Sequence, residues 1–415
     1  MTRYLRERTL FGPLLEEPPS NRLGMVVVIP AKDEPNLLRS LESLADCEVP
    51  TSDGEVIVVI NSGENDAAEV VERNARLETE AREWAKSNSR AKLKFEVLNF
   101  PNLPHKHAGV GLARKIGMDE GCRRLEAVGN PTGALLCFDA DSRCDPNYLR
   151  EVEALFRRDE SCQACSIYFE HPMEGREFVP EIYDAIIDYE LHLRYFVRAQ
   201  RHAGLPHAFQ TIGSSMAVRC DAYQAQNGMN RRKAGEDFYF LHKFTPLGTL
   251  VDLNSTRVIP SPRPSDRVPF GTGKAVGELI ETDAKCLTYH PSSFQDLRSF
   301  VGTVDSLFEL AEGKEEAFVK NQPESVRAFL ETQPFWERVA EIRSNVTTRD
   351  AFRSRFFRWF SAFLVMKFVH HARDHFYPDC EVGEAAKWLL EATCPAKNAE
   401  TNAELLKIYR ELDRA

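Results

Sequence analysis

The stretch Ala134-Leu135-Leu136-Cys137-Phe138-Asp139-Ala140-Asp141 is the most informative part of the sequence, because an apolar run ends there in two carboxylates one residue apart. The apolar part reads as a buried strand, and alternate residues of a strand share a face, so Asp139 and Asp141 point the same way. Two carboxylates so placed can bind Mg²⁺ or Mn²⁺ and leave coordination positions for phosphate oxygens. The alternative is that both acids cap the helix predicted to begin at Asp145-Pro146.

Upstream of this stretch, apolar strands alternate with segments of helical periodicity. Strands are predicted at 25–30, 55–60 and 92–98, and helices after Pro35, at 66–86 and at 109–127. The alternation predicts an α/β fold with a mostly parallel sheet covered by helices. Ligands of such sheets bind at the carboxyl ends of the strands. The polar residues at those ends are Lys32, Asp33, Glu34, Asn61, Asp139 and Asp141.

Downstream, the pattern changes twice. Strands are predicted at 163–169 and 214–219, and helices at 180–200 and from Gly235. A stretch rich in proline and glycine, 260–273, has no periodicity, and the chain after Pro291 reads as helical. The predicted organisation is an N-terminal arm (1–22), a catalytic domain (23–290) and a helical C-terminal region (291–415).

Charge and cysteine content exclude several classes of function. A net charge of −10 and a pI near 5.7 argue against nucleic acid as a partner, because no basic stripe is present to neutralise phosphates. The ten cysteines lack the paired spacing of a zinc site, which predicts reduced thiols in a cytoplasmic protein. No segment reaches the roughly 18 apolar residues of a membrane span. The most apolar segment, 356–369, is predicted to be a buried helix, with a helix on the inner membrane face as the alternative.

Five motifs in chain order resemble those of the family 2 glycosyltransferases, over about residues 25–244. They are Val27-Val28-Ile29-Pro30-Ala31-Lys32-Asp33-Glu34, Val58-Val59-Ile60-Asn61, Gly109-Val110-Gly111-Leu112-Ala113-Arg114-Lys115-Ile116-Gly117, Asp139-Ala140-Asp141 with Gly213-Ser214-Ser215 downstream, and Gly235-Glu236-Asp237. The resemblance implies the GT-A fold, a Rossmann-like sheet with flanking helices, here followed by a helical C-terminal extension. Two positions depart from the family pattern: Asn61 replaces an Asp that contacts the nucleotide base, and Lys115 replaces an Asn.

The resemblance also implies roles for single residues. Asp139 and Asp141 would bind the metal, and Asp237, with Glu236 beside it, would be the catalytic base of an inverting enzyme. The donor-binding residues implied with them are Pro30, Ala31, Glu34, Asn61, Arg114, Lys115 and Asp139. For Asp237 the alternative is an acid that stabilises a helix N-terminus, and for Arg114 and Lys115 it is a solvent-facing helix surface.

Two segments contain basic residues of types that bind phosphate or metal ligands. Arg263, Arg267 and Lys274 follow the predicted base helix, where they could form a lid that neutralises a diphosphate; the alternative is a linker, 260–274, between the two regions. His105-Lys106-His107 has the residue types of a metal site, but alternating His in a loop is typical of a surface.

The predicted function is transfer of a sugar from a nucleoside-diphosphate sugar to an acceptor hydroxyl, with Mg²⁺ or Mn²⁺ as cofactor. The acceptor, whether glycan, lipid or small molecule, stays open. One alternative is a retaining enzyme acting on a small acid such as glycerate or phosphoglycerate, with His207 or His242 as a third metal ligand. The other is a degenerate fold that binds a nucleotide sugar without catalysis, which the departures at Asn61 and Lys115 motivate.

Overall fold

The computed structural model describes residues 2–282 and 284–415. The chain divides into two compact units. One contains Met1–Pro172, Thr211–Lys274 and Arg414, and the other contains Met173–Gln210, Ala275–Asp413 and Ala415. The helix predicted at 180–200 therefore belongs to the same unit as the C-terminal helices. The domain boundaries expected from the sequence stay a prediction.

The first unit is built on an eight-stranded sheet. Its strands are β1 (Leu23–Ala31), β2 (Asp53–Gly63), β3 (Leu93–Leu103), β4 (Ala134–Cys137), β5 (Arg143–Cys144), β6 (Ala164–Phe169), β7 (Met216–Arg219) and β8 (Leu250–Ile259). The order is β3-β2-β1-β4-β7-β6-β8-β5. The first four strands are parallel to one another, β7 runs antiparallel to both its neighbours, and β6 is parallel to β8. The α/β class with a mixed, mostly parallel sheet is confirmed.

The helices of the first unit cover this sheet. They are α1 (Arg3–Glu7), α2 (Leu37–Ala45), α3 (Ala68–Asn88), α4 (Val110–Ala127), α5 (Tyr148–Arg158), α7 (Cys220–Ala225) and α8 (Glu236–Leu241); α6 (Pro180–His202) belongs to the second unit. Within β1 every side chain from Met25 to Ala31 is buried, as expected of a strand with both faces covered.

Helix α4 is the central helix of the first unit, and most of its residues are buried. A β-carbon on Gly117 would lie 2.4 Å from Val28 Cγ1, so the absence of a side chain there lets α4 approach β1 closely. This close packing fixes the position of the charged residues on the first turns of α4.

The second unit is helical. After α9 (Thr272–Thr282), which begins in the first unit, it contains a two-stranded antiparallel ribbon and eight further helices. These are β9 (Leu287–Thr288) and β10 (Cys380–Glu381), with α10 (Pro291–Thr303), α11 (Glu315–Lys320), α12 (Glu324–Glu331), α13 (Phe335–Ser344), α14 (Arg349–Trp359), α15 (Ala362–His375), α16 (Val382–Thr393) and α17 (Asn402–Arg414). Its core is rich in phenylalanine, with Phe294, Phe300, Phe352 and Phe356 fully buried.

The single buried helix predicted at 356–369 is wrong in one respect. The segment is divided between α14 and α15, with Phe360 and Ser361 between them. Its apolar residues do face the core, with Phe356, Val365 and Phe368 buried. Within the described residues, no helix is both long and apolar enough to cross a bilayer. All ten cysteines are free thiols.

Candidate active site

The carboxyl ends of β1, β2 and β4 meet at one edge of the sheet. Ala31 pairs with Ile60, and the Phe138 amide donates to the Val28 carbonyl at 3.0 Å, so the turns after these strands are neighbours. The antiparallel strand β7 begins beside the end of β4, because Met216 pairs with Cys137. The topology therefore gathers at this edge the residues after β1, β2 and β4 and those before β7.

Glu34, in the turn after β1, is held by two arginines of the 260–274 segment. Its Oε2 lies 2.5 Å from Arg263 and 2.8 Å from Arg267, and Arg267 also donates to the Lys32 carbonyl at 2.9 Å. Glu34 is buried. The 260–274 segment therefore folds onto the carboxyl end of β1 through both arginines.

Asp141 lies beside this group without a close partner of opposite charge. Its Oδ2 is 3.9 Å from both Arg263 and Arg267, which is longer than a hydrogen bond, and its side chain is 24% exposed. Burial raises the pKa of Asp141 to about 7, and the charges of Glu34 and Asp139 add to that shift, against the opposing effect of Arg267 and Arg263. This carboxylate is crowded by like charge, which a bound cation would relieve.

Asp139 and Asp141 offer the oxygen ligands and the negative charge that a hard divalent cation requires. The carboxylate oxygens in the turn after β4 suit Mg²⁺ or Mn²⁺. A cation there would offset the charges of Glu34 and Asp139, which add to the effect of burial in raising the pKa of Asp141. Among residues 2–282 and 284–415, no three His, Cys, Asp or Glu side chains are arranged to bind a metal by themselves. Any cation at Asp139 and Asp141 would need further ligands from a substrate or water.

Arg114 joins the acids after β4 to those of α8. Its guanidinium donates to Asp139 Oδ1 at 2.5 Å and to Glu236 Oε1, and the side chain is only 3% exposed. Burial lowers the pKa of Arg114, but the charges of Asp139 and Glu236 outweigh it, and the net direction is upward. A β-carbon on Gly213 would lie 2.4 Å from both terminal nitrogens of Arg114, so the residues before β7 leave room for this bridge.

The candidate base pair stands at the start of α8. Gly235 precedes it with φ +69, in the left-handed region that favours glycine, and Glu236 is buried whereas Asp237 is part-exposed. Burial raises the pKa of Glu236 to about 7, against Arg114 and with a further rise from Asp237. Burial also raises the pKa of Asp237, and Arg114 again opposes the shift. Glu236 is committed to Arg114, which leaves Asp237 as the accessible carboxylate.

Asn61, at the end of β2, is buried with its Nδ2 lacking a hydrogen-bond partner among the described residues. Its backbone carbonyl accepts from Asn74 Nδ2 at 3.0 Å, and Asn74 Oδ1 accepts from the Asp33 amide at 2.8 Å. One buried amide on α3 thus ties the turn after β1 to the end of β2. No motif pointed to Asn74, because the segment of α3 has the composition of a generally polar helix.

Asp33 adopts φ +51, which is uncommon outside glycine. Both of its carboxylate oxygens accept from Arg73 of α3, at 2.5 and 2.7 Å. The conformation of the turn that presents Glu34 is therefore fixed by Arg73 and Asn74, neither of which the motifs pointed to.

The remaining residues predicted to bind the donor differ in their burial and in their partners. Pro30 and Ala31 are the buried last residues of β1. Lys115 is buried against Asp119 at 2.9 Å and the Tyr4 hydroxyl at 2.8 Å, and Lys274 pairs with Asp266 at 3.1 Å. The solvent-facing alternative for Arg114 and Lys115 is wrong, because both side chains are buried. Their roles in donor binding stay predictions.

The histidines considered from the sequence lie in different surroundings. His105 and Lys106 are exposed in a loop, in line with the surface interpretation. His242 follows α8 and its ring packs edge-on against Phe238 at 4.5 Å. His207 belongs to the second unit, where it contacts Phe357.

No protein-family model and no curated protein matches the sequence. Among solved structures, the chain is similar to the 1–349 fragment of S. aureus TarS in complex with UDP-GlcNAc, with 15% identity and a TM-score of 0.40 over 81% of this chain and 91% of the other. It is also similar to the mannosyltransferase PcManGT from Pyrobaculum calidifontis in complex with GDP-Man and Mn²⁺, with 13% identity and a TM-score of 0.35 over 99% of this chain and 91% of the other. Identities and scores of this size do not assign the chain to a family.

Proposed function

We propose that this protein is a metal-dependent glycosyltransferase that moves a sugar from a nucleoside-diphosphate sugar to an acceptor hydroxyl, with inversion at the anomeric carbon. The observation that carries the proposal is one continuous group of charges. Asp141, Glu34 and two lid arginines stand at one end, and Asp139 leads through Arg114 to Glu236 and Asp237 at the other. A displacement reaction needs groups that neutralise the leaving diphosphate on one side and a base for the acceptor hydroxyl on the other, with both held in a fixed arrangement.

At the donor end, Asp139 and Asp141 would hold a divalent cation, and Arg263 and Arg267 would bind the diphosphate. The cation would supply electrostatic stabilisation of the departing diphosphate. Arginine suits this position because its planar guanidinium binds two phosphate oxygens at once. Both guanidiniums already reach the turn of β1 through Glu34, so the 260–274 segment needs only local adjustment to contact a diphosphate.

At the nucleotide end, the buried Nδ2 of Asn61 supports a base site. A buried donor without a partner carries a free-energy cost that a carbonyl oxygen of a nucleobase would remove. The turn of β1 and the end of β2 are fixed to each other by Asn74, so this donor is held in place before the ligand arrives.

At the base end, Asp237 would accept the proton of the acceptor hydroxyl. Its raised pKa brings its basicity nearer to neutral pH, where a general base is most effective. Glu236 is bound to Arg114 and would act as the positioning residue, because Arg114 fixes α8 relative to Asp139.

The test is a panel of UDP-sugars and GDP-sugars, with and without Mn²⁺, measured by thermal shift and by release of the nucleoside diphosphate. We expect one donor to stabilise the protein only with metal and to be hydrolysed slowly. Asp141→Asn should abolish both effects, whereas Asp46→Asn, at an exposed position after α2, should leave them unchanged. Absence of any response to every donor would overturn the proposal and favour a non-catalytic role.

A further inference from the structure

Three consecutive cations precede the candidate base. Arg231, Arg232 and Lys233 are exposed, and within residues 2–282 and 284–415 none of them forms a salt bridge with a carboxylate. Neighbouring like charges repel one another, so the folded chain is stabilised when an anion joins them. The charge is local, because the chain as a whole carries −10.

The segment that carries these cations is held against the active-site helices. A β-carbon on Gly111 would lie 2.4 Å from the Arg232 carbonyl, and one on Gly109 would lie 2.9 Å from Lys233 Cα, so the backbone packs on the first turn of α4. Asn230 Nδ2 donates to the Glu236 carbonyl at 3.0 Å. The cations are thus presented at a fixed place beside α8.

Tyr239 and Lys106 lie near these cations in the fold or the sequence. The Arg232 guanidinium lies 3.9 Å from the centre of the Tyr239 ring, which restrains it by a cation–π contact with α8. Lys106 is exposed three residues before Gly109, whose backbone packs against Lys233, and it also forms no salt bridge in the described part of the chain. We call Lys106, Arg231, Arg232 and Lys233 the basic rim.

We propose that the basic rim binds a phosphate group of the acceptor, so that the acceptor is a soluble phosphorylated sugar or polyol. This inference rests on the proposed function. In the displacement, the acceptor oxygen forms a bond to the anomeric carbon while the bond from that carbon to the diphosphate oxygen breaks, and its electron pair leaves with the diphosphate. The hydroxyl proton goes to Asp237.

The in-line geometry of that step assigns the rim to the acceptor. The attacking and leaving oxygens lie on opposite sides of the anomeric carbon. The leaving side has its own cations, Arg263 and Arg267, which contact Glu34 and approach Asp141. The rim directly precedes the base helix and packs on α4 and α8, so we assign its charge to the side of the base, from which the acceptor oxygen attacks.

An apolar surface beside the rim favours a phosphorylated sugar or polyol over a bare phosphate ion. The Phe270 ring of the 260–274 segment is 57% exposed. Its edge borders Gly235, where a β-carbon would lie 3.2 Å from Phe270 Cζ. A ligand with a carbon skeleton next to a phosphate can cover this ring and reach the cations together.

The test compares glucose 6-phosphate and glycerol 3-phosphate with glucose and glycerol, by calorimetry at low salt. UDP or GDP, whichever the donor panel selects, is present at saturation with Mn²⁺ so that the donor site is filled. We expect the phosphorylated compounds to bind about tenfold more tightly than the neutral ones, and added salt to reduce the difference. R231A/K233A should remove that advantage, and R157A/R158A, which deletes two exposed cations of α5, should retain it.

The remaining outcomes separate this inference from the proposed function. Equal binding of phosphorylated and neutral compounds, or an R231A/K233A variant with unchanged affinity, overturns the acceptor assignment while donor binding stands. Binding of phosphatidylserine-containing vesicles through the rim, without binding of the free phosphates, overturns it in favour of a lipid surface. Failure of the wild-type protein to bind any nucleotide overturns the proposed function, whereas the phosphate comparison without nucleotide still reports on the rim.

Discussion

Each unit of the molecule contains a network of buried or partly buried charges, and the two networks differ in the balance of acids and arginines. In the helical unit, Glu190 and Asp413 face three arginines: Arg194 bridges both acids, Arg410 contacts Glu190 at 2.6 Å and Arg198 contacts Asp413 at 2.7 Å. In the first unit, five carboxyl groups face three arginines: the acids are Glu34, Asp139, Asp141, Glu236 and Asp237, and the cations are Arg114, Arg263 and Arg267.

A network that only stabilises the fold differs from a ligand site in whether each acid has a cation beside it. Each acid of the helical network has a cation within hydrogen-bonding distance, so it needs nothing further to be stable. Asp141 has its nearest cations at 3.9 Å and a raised pKa, so its network is incomplete as it stands. An incomplete network of buried charges is where a ligand is expected to bind.

Removing an acid from the balanced network of the helical unit should have the largest effect on stability. Glu190→Ala leaves Arg194 and Arg410 without their shared carboxylate in a buried position, so we expect the free energy of unfolding to fall by about 3–5 kcal/mol. Urea unfolding measures it. The matched control, Glu391→Ala on α16, removes an exposed acid of the same unit and should change stability by less than about 0.5 kcal/mol. Equal effects of the two changes would contradict a structural role for the network.

Removing the charge of Asp141 from the incomplete network should lower activity without lowering stability. Asp141→Asn should lower kcat for sugar transfer by at least about 100-fold, or about 2.7 kcal/mol, because the cation loses a charged ligand. The free energy of unfolding without metal should stay the same or rise, because a crowded carboxylate is removed. Steady-state kinetics and urea unfolding of one preparation measure both. A large loss of stability would place Asp141 with the structural networks instead.

The contacts of Arg114 with Asp139 and Glu236 can be disturbed by a substitution at Gly213. Gly213→Ala places a methyl group 2.4 Å from both terminal guanidinium nitrogens, so Arg114 must shift away from Asp139 or Glu236. We expect kcat to fall about tenfold, or about 1.4 kcal/mol. Gly12→Ala, at a position where a β-carbon meets no atom within 4 Å, is the control and should leave kcat unchanged. Unaltered kinetics of Gly213→Ala would show that the bridge is not needed in that geometry.

The smallest effect is in the pH dependence of stability without metal. The pKa of Asp141 is raised in the folded state to about 7, so between about pH 4 and 7 the folded state binds more protons than the unfolded state. Stability therefore falls as pH rises through this window, by on the order of 1 kcal/mol once solvent screening is included. Comparing wild type with Asp141→Asn in a chelator isolates the contribution, and parallel curves would contradict it.

Much of the sheet could be predicted from the sequence, because strand and helix periodicities are local. The buried strands at 25–30 and 55–60 lie within β1 and β2. The strand before the two acids ends at Cys137, so Asp139 and Asp141 lie in the turn after β4 and not, as the alternation predicts, on one face of a strand. The antiparallel insertion of β7 beside β4 could not be predicted, since pairing between residues 137 and 216 is a tertiary event. The break at Phe360 and Ser361 also escaped prediction, because the apolar spacing continues across it.

The candidate site was predictable in its residues more than in its contacts. The acids were identifiable by type and by their place after predicted strands or at a helix start, and Arg263 and Arg267 by their place in the stretch rich in proline and glycine. The bridge from Asp139 through Arg114 to Glu236 was not, because it joins residues far apart in sequence. The exposed Arg73 and the buried Asn74 left no pattern at all, since a polar helix gives no sign of which of its side chains contact a neighbouring turn.

Asn74 has a consequence for how the site responds to a ligand. Its amide accepts from the Asp33 backbone and donates to the Asn61 carbonyl, so two strand-end turns share one rigid connection. We expect a displacement at the end of β2 to reach the turn that carries Glu34, and Glu34 is bound to Arg263 and Arg267. We therefore expect a ligand at the end of β2 to affect the position of the 260–274 segment, with Asn74 connecting the two turns in addition to the pairing of β1 with β2.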